Sequence, residues 1–258
     1  MRLDAGVNIW GLDYSGRPFV FLGAAHVGAL ALVLGLNLLF AAWRGRATVR
    51  TRVTFRYAAA GLLLGNEVLW FAWNYSTGQW NLQTILPLHL CSVMVYVGAA
   101  ALITKSQALY EPLYFLGISG AFQALMTPNL GPYGFPHFRF LSSFISHGLI
   151  LSAPIYLTIV ERMRPTWASL WRTVLVANLY LVFVGVVNWL TGSNYVYLAR
   201  KPETATVLDA LGPWPWYIVG MEVMGVACMV LLYAPFVIGD RRIGISASRS
   251  GCDRHTPV

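Results

Sequence analysis

The chain has 258 residues, of which 57% are apolar and 11% charged, and its formal net charge is +8. An average soluble domain carries about a quarter charged residues and under half apolar ones, so this composition excludes an ordinary soluble domain. The positive charge is largely arginine that flanks apolar runs, and it does not call for a nucleic-acid partner.

Apolar runs of about 20 residues follow one another along the chain, which is the length that crosses about 30 Å of hydrocarbon. We expect an all-α bundle of seven transmembrane helices at residues 19–43, 57–75, 84–104, 110–126, 140–160, 172–191 and 214–238. Residues 1–18 show no signal-peptide pattern, so the first run is expected to be a true span. Residues 1–243 would form one domain, followed by a short disordered tail at 244–258.

Lysine and arginine collect on alternate connections of the predicted bundle. Residues 44–56, 105, 162–172 and 241–254 hold 13 of the 18 positive residues. Positively charged flanks are retained in the cytoplasm. We therefore expect the N-terminus outside, the C-terminus in the cytoplasm, and a multi-pass protein of the plasma membrane.

Six ionisable or nucleophilic side chains occupy similar depths in the predicted spans, roughly 8–12 Å below the outer surface at about 1.5 Å per residue. They are His26, Glu67, His89, Cys91, His147 and Glu222. A single intramembrane His or Glu often only joins two helices. Six of them in one layer predict a polar pocket that opens towards the outer leaflet, because unpaired polar groups are costly in hydrocarbon.

Cys91 is the candidate nucleophile of this pocket, and His147, from another helix at matching depth, is the candidate general base. His89 is two positions from Cys91, so in a regular helix it would face nearly the opposite way. Pro87 can bend the helix at this point and change that angle. Glu67 or Glu222 could orient the imidazole as a third member, with His26 also close to the pocket.

Three motifs lie at residues 86–91, at 194–198 followed by 201–202, and at 212–218. In this order they resemble the YwaF family of bacterial membrane proteins, which is similar to the eukaryotic transmembrane protein 164 acyltransferases. The resemblance covers most of the chain from the second to the seventh span. It implies a cofactor-free cysteine acyltransferase of the bacterial plasma membrane that moves acyl chains between phospholipids and lysophospholipids, with Cys91 and His147 at the matching positions.

Two other classes of protein remain open. One is a seven-helix metal-dependent hydrolase with His26, His89 and His147 as ligands, although no His pair has the spacing of three or four residues that one helix face requires. The other is a transporter or signalling protein with an outer polar pocket, which discontinuous helices would favour. Transfer or hydrolysis, the lipid, and the oligomeric state stay open.

Overall fold

The structure is a computed structural model that describes residues 8–202 and 207–252. Its described part consists of helices joined by turns and loops and contains no strand. The helices are α1 (Ala24–Trp43), α2 (Val49–Ser76), α3 (Leu82–Ile85), α4 (Leu90–Thr104), α5 (Gln107–Pro112), α6 (Ile118–Met126), α7 (Phe138–Ile159), α8 (Trp167–Thr191) and α9 (Trp216–Cys252). A π-helical segment, Leu113–Gly117, joins α5 to α6, and short 3₁₀ turns lie at Tyr195–Tyr197 and Val207–Leu211.

Four helices in the described part are long and apolar enough to cross a membrane: α1, α7, α8 and Trp216–Asp240 of α9. The other three predicted spans are helical over most of their length. Residues 57–75 lie within α2. Residues 84–104 include the end of α3 and all of α4, and residues 110–126 run from α5 through the π-helical segment to the end of α6. The α9 backbone extends to Cys252 and so into the predicted tail, whose last residues, 253–258, lie outside the described part.

The predicted span over 84–104 is not one helix. α3 ends at Ile85, residues 86–89 are non-helical, and α4 begins at Leu90. Pro87 explains the break, because it lacks an amide hydrogen and disfavours helical backbone at the preceding residue. Accordingly, Leu86 is extended (φ −59°, ψ 142°), and so is His89 (φ −73°, ψ 145°). His89 precedes the helix. The expectation that it faces nearly opposite to Cys91, which assumed a regular helix, therefore does not apply.

The bundle is organised around α7, which contacts α1, α2, α4 and α6. Its fully buried residues Ile150 and Leu157 belong to one core cluster with Leu63, Leu102 and Leu113 from neighbouring helices. The packing is close beside the π-helical segment, where a methyl group on Gly117 would lie 3.5 Å from Cγ2 and 3.6 Å from the carbonyl oxygen of Ile150. Glycine thus allows α7 to approach closely, as small residues do in membrane bundles.

The arginine-rich end of the bundle comprises the connections at 44–48, 105–106 and 160–166. Here Arg56 donates to the carbonyl oxygens of Leu102 (2.6 Å) and Ile103 (3.0 Å) and so caps the end of α4. Glu161 lies 3.9 Å from the Arg56 guanidinium and 3.6 Å from Lys105 Nζ. Glu161 thus provides a negative charge for two of the predicted topogenic cations.

A buried carboxylate near this end joins α5 to α8. Glu111 accepts hydrogen bonds from Arg172 Nε (2.9 Å) and Nη2 (2.6 Å), Ser169 Oγ (2.8 Å) and Gln107 Nε2 (3.2 Å). Its side chain is 5% exposed. Burial of a carboxylate is tolerated only when its oxygens are paired in this way.

We expect Glu111→Gln to lower the melting temperature of the detergent-solubilised protein by several degrees. The amide carries no charge and cannot accept the bidentate bond from Arg172. The matched control is Asp240→Asn, which removes the exposed ion pair with Arg164 and should change the melting temperature much less. Equal effects in the two variants would contradict a special contribution from the buried network.

The opposite end, here called the far end, comprises the connections at 77–81, 127–137, 192–202 and 207–215. Residues 8–14 cover part of it. The amide of Phe138 donates to Ile9 O (2.8 Å), Trp73 Nε1 donates to Trp10 O (2.6 Å), and His137 Nε2 donates to Gly11 O (3.0 Å). His137 is also the N-cap of α7, where its Nδ1 accepts from the amide of Arg139 at 3.1 Å. Both ring nitrogens of neutral His137 are therefore satisfied.

We expect the far end to loosen below about pH 6.5. Burial lowers the pKa of His137 from its ordinary value of 6.5, and the Arg139 charge lowers this pKa further. As the pH falls below 6.5 the unfolded chain binds a proton that the folded chain resists, so stability falls until the lowered pKa is passed and then levels off. Hydrogen exchange of residues 9–11 between pH 7.5 and pH 5 measures this, and His137→Gln should flatten the pH dependence. An unchanged pH dependence in the variant would assign it to another group.

Candidate active site

Cys91 is the second residue of α4, just after the Pro87 break. In the part of the chain that the structure describes, the side chain of the N-cap residue His89 makes no hydrogen bond to the first turn of α4. The first amides of a helix have no acceptor within the helix itself, and the positive end of the helix dipole lies among them. The positive end of a helix dipole stabilises negative charge that develops close to it. The break thus gives Cys91 a setting that a continuous span would not provide.

The Cys91 side chain faces α6 at a glycine. A methyl group on Gly120 would lie 3.8 Å from Cys91 Sγ and 3.7 Å from Leu90 Cδ2. The same relation holds two turns deeper, where a methyl group on Gly98 would lie 3.4 Å from Leu113 Cδ1. α4 and the helix ending in α6 therefore run antiparallel with Cys91 opposite Gly120. Cys91 and Gly120 are only half-buried, as are residues 86–93 as a whole.

His147 reaches the same level from α7. Gly117 packs against Ile150, and the short connection at 127–137 makes α6 and α7 antiparallel. Gly120 of α6 is three residues after Gly117, and His147 is three residues before Ile150 in α7. Because the two helices are antiparallel, Gly120 and His147 come at about the same level, one turn nearer the far end. Counting along the helices thus brings the half-buried His147 to about the level of the half-buried Cys91, near the junction of α4, α6 and α7.

The hydrogen bonds of His147 fix its tautomer. Its Nδ1 lies 2.8 Å from the carbonyl oxygen of Ser143, one turn earlier in α7, and 3.4 Å from Ser143 Oγ. A carbonyl only accepts, so Nδ1 carries the hydrogen and Nε2 has the lone pair. That arrangement leaves Nε2 able to accept a proton. The carbonyl of Ser143 takes the orienting position for which a glutamate was expected.

Glu67 lies on α2, which packs against α4, and His89 immediately precedes α4. Glu67 is buried on α2 and interacts electrostatically with Tyr96 of α4. The ring of His89 lies against two aromatic rings from the connection after α8, with centroid distances of 5.2 Å to Tyr195 and 5.9 Å to Tyr197. His89 thus faces the far-end connection.

His26 and Glu222 are engaged elsewhere. The fully buried His26 accepts from the amide of Leu22 at Nδ1 (3.1 Å) and donates from Nε2 to Leu125 O (2.9 Å). It therefore ties the start of α1 to the end of α6. Glu222 accepts a 2.5 Å hydrogen bond from Asn178 Nδ2, which joins α9 to α8. Both bonds are of the helix-joining kind that isolated intramembrane polar residues commonly make.

The proposed three-histidine ligand set is not assembled. Among the described residues, no group of three or more His, Cys, Asp or Glu side chains has a geometry that could hold a metal ion. Both ring nitrogens of His26 are used by backbone groups, and His147 uses one of its two. The side chains present do not fit the metal-dependent alternative.

Comparison with known families supports the resemblance seen in the three motifs. The model of the TMEM164 family matches residues 21–233. The chain belongs to the TMEM164 family. No curated protein and no solved structure matched it. The TMEM164 match starts before α1, where the motif resemblance does not reach, and it contains all six predicted site residues.

Two tyrosines near the TMEM164 candidate site were not recognised from the sequence. Tyr180 of α8 donates to Leu88 O (2.6 Å), and Tyr195 OH bonds both Leu86 N (3.0 Å) and Leu82 O (2.6 Å). Tyr195 lies in the motif at 194–198, which supported the family resemblance but did not indicate what Tyr195 does. Tyr180 is one of several polar side chains in its span, and nothing in the sequence set it apart.

Proposed function

We propose that this membrane protein is an enzyme that acts on lipid esters, as an acyltransferase or an ester hydrolase, with Cys91 as nucleophile and His147 as general base. The observation that carries this proposal is the junction at Gly120. There Cys91 lies at a helix N-terminus against Gly120, and helix register would bring the imidazole of His147, whose Nδ1 is bonded to Ser143 O, to about the same level. Family membership supports the reaction type.

The first half-reaction would form an acyl-enzyme. Nε2 of His147 accepts the thiol proton as Cys91 Sγ attacks the ester carbonyl carbon of a phospholipid. The carbon–oxygen ester bond then breaks, and the leaving alkoxide takes the proton from His147 to become the lysophospholipid hydroxyl. The acyl chain remains on Cys91 as a thioester.

The second half-reaction reverses these steps with a different acceptor. The hydroxyl of another lysophospholipid, or water, loses its proton to His147 as it attacks the thioester carbonyl, and the Cys91 thiolate leaves and is reprotonated. A dry site gives transfer and a wet site gives hydrolysis. In both halves, the first-turn amides of α4 would stabilise the negative oxygen of the tetrahedral intermediate, because they are unpaired within the helix and near Sγ.

We propose that all seven predicted spans cross the plasma membrane of a bacterium, with the N-terminus outside and the far end in the outer leaflet. Buried pairing of Glu111 with Arg172 would let the α5–α6 helix enter the membrane despite its carboxylate. The first turn of α4 would then lie near the depth of phospholipid ester bonds. The half-buried segment at 86–93 supports lateral entry of phospholipid and lysophospholipid.

One observation favours the transporter alternative, which is the interrupted helix at Pro87. In transporters such breaks expose backbone carbonyls and amides that bind the transported ion or substrate. Here Leu86 N is bonded to Tyr195, Leu88 O to Tyr180, and Leu86 O to Leu88 N (2.7 Å). These groups are thus occupied, which favours the enzyme. Solute flux in proteoliposomes tests the alternative.

Lipid mass spectrometry tests the proposed function. Purified protein in nanodiscs is incubated with acyl-labelled phosphatidylcholine and a lysophospholipid. Label in the acceptor or in free fatty acid, formed by the native protein but not by Cys91→Ala or His147→Ala at equal folded yield, is the expected result. Full activity of Cys91→Ala would contradict the mechanism, and an absence of turnover with flux in proteoliposomes would favour transport.

A further inference from the structure

The helix break before Cys91 is held by side chains from another part of the chain. Hydrocarbon offers no hydrogen bonds, so a non-helical segment at membrane depth needs partners from the protein. Tyr195 OH accepts from Leu86 N–H at 3.0 Å and donates to Leu82 O at 2.6 Å, while Tyr180 OH donates to Leu88 O at 2.6 Å. Two hydroxyls thus hold both sides of Pro87.

Tyr195 is itself fixed firmly. It is fully buried, and its backbone forms two hydrogen bonds with the side chain of Asn188 in α8, from Nδ2 to Tyr195 O (2.9 Å) and from Tyr195 N to Oδ1 (2.8 Å). Asn188 Oδ1 also accepts from Ser193 Oγ at 2.9 Å. The start of α4 is therefore bound to the far end of α8 through a rigid, buried connection.

We propose that Tyr180 and Tyr195 are positioning residues for the Cys91 reaction. By holding residues 86–88, they set where α4 begins, and with it the place of the sulfur and of the first-turn amides relative to Gly120 and His147. Neither hydroxyl touches the reacting atoms in this scheme. The inference rests on the proposed function for its catalytic meaning, and on the hydrogen bonds alone for its structural part.

The test uses Tyr180→Phe and Tyr195→Phe, which remove one hydroxyl each and keep the ring. The matched control is Tyr114→Phe, since the buried Tyr114 donates to Leu232 O (3.0 Å) and holds α9 rather than the break. All variants also carry Cys228→Ala and Cys252→Ala, so that Cys91 is the remaining thiol. Alkylation of Cys91 by iodoacetamide is followed against pH, and kcat and KM are measured separately.

We expect kcat to fall by about 10- to 100-fold in both test variants with little change in KM, since a small misplacement of reacting groups costs this much. The alkylation profile of Cys91 should shift to higher pH, and Tyr114→Phe should match the parent. A merely structural role would lower the melting temperature without moving that profile. If Tyr195→Phe does not fold, Tyr180→Phe carries the same test.

Test variants that keep the kcat and alkylation profile of Tyr114→Phe would overturn the inference while leaving the Cys–His enzyme intact. Activity retained by Cys91→Ala would instead remove the proposed function. In that case the alkylation profile still decides whether the two hydroxyls position Cys91.

Discussion

Replacing Cys91 by alanine should lower lipid acyl transfer by about 10⁴-fold or more, because removal of a nucleophile leaves only binding and electrostatic stabilisation. We expect little cost in folding, since Cys91 is half-buried and alanine removes only its sulfur atom. Transfer of labelled acyl chains measures the rate, and a melting curve in detergent checks the fold.

Cys228 offers a matched control for this experiment. It is also a free, half-buried cysteine, but it lies on α9 away from the break. Cys228→Ala should keep transfer within about two-fold of the parent, the scale of a surface substitution outside the site. Intact-protein mass spectrometry after brief exposure to substrate should show one added acyl chain on the native protein and on Cys228→Ala. An adduct on Cys91→Ala would place the acyl group elsewhere.

The second large effect is expected for His147→Gln, which keeps a side chain of similar reach but removes the base. General-base catalysis contributes about 10²- to 10⁴-fold, so kcat should fall within that range. Both half-reactions need the imidazole, so acyl-enzyme formation and its breakdown should slow together. Single-turnover formation of the thioester, followed by its decay after lysophospholipid is added, separates the two steps.

His26 provides the contrasting variant. Its two ring nitrogens bond backbone groups of Leu22, just before α1, and of Leu125 in α6, so His26→Gln should lower the melting temperature and spare turnover per folded molecule. The reverse pattern, with lost turnover in His26→Gln and a stability loss alone in His147→Gln, would exchange the two assignments.

Much of the fold follows from apolar run length, because the described part has helices and no strand, and four of its helices are long and apolar enough to cross a membrane. The sequence resemblance also agrees with the family match. Counting residues along the helices also predicts that Cys91 and His147 share a level. Counting cannot say where a side chain points. His26 and Glu222 were counted into the same layer, yet Leu125 O and Asn178 engage them.

Other features depended on partners distant in sequence. Pro87 was expected to bend its helix, and the structure shows a complete interruption. The backbone groups freed at the break bond the hydroxyls of Tyr180 and Tyr195, which are 92 and 109 residues away from their partners in sequence. Burial of Glu111 was not predicted from the sequence, because its pairing with Arg172 depends on how α5 packs against α8. Such long-range contacts leave little local trace in one sequence.

The π-helical segment Leu113–Gly117 has a consequence for comparing sequences within the family. A π-turn holds one residue more than an α-turn, so it offsets the two ends of its helix by about 100°. Glu111 on one side faces Arg172, and Gly120 on the other faces Cys91. If one residue were lost from this segment, only one of the two residues could keep its partner. Either Glu111 would still face Arg172 or Gly120 would still face Cys91, and the other would be rotated away. A one-residue gap at 113–117 in a related sequence would therefore mark a protein with a reshaped wall opposite its cysteine, even where every motif residue is present.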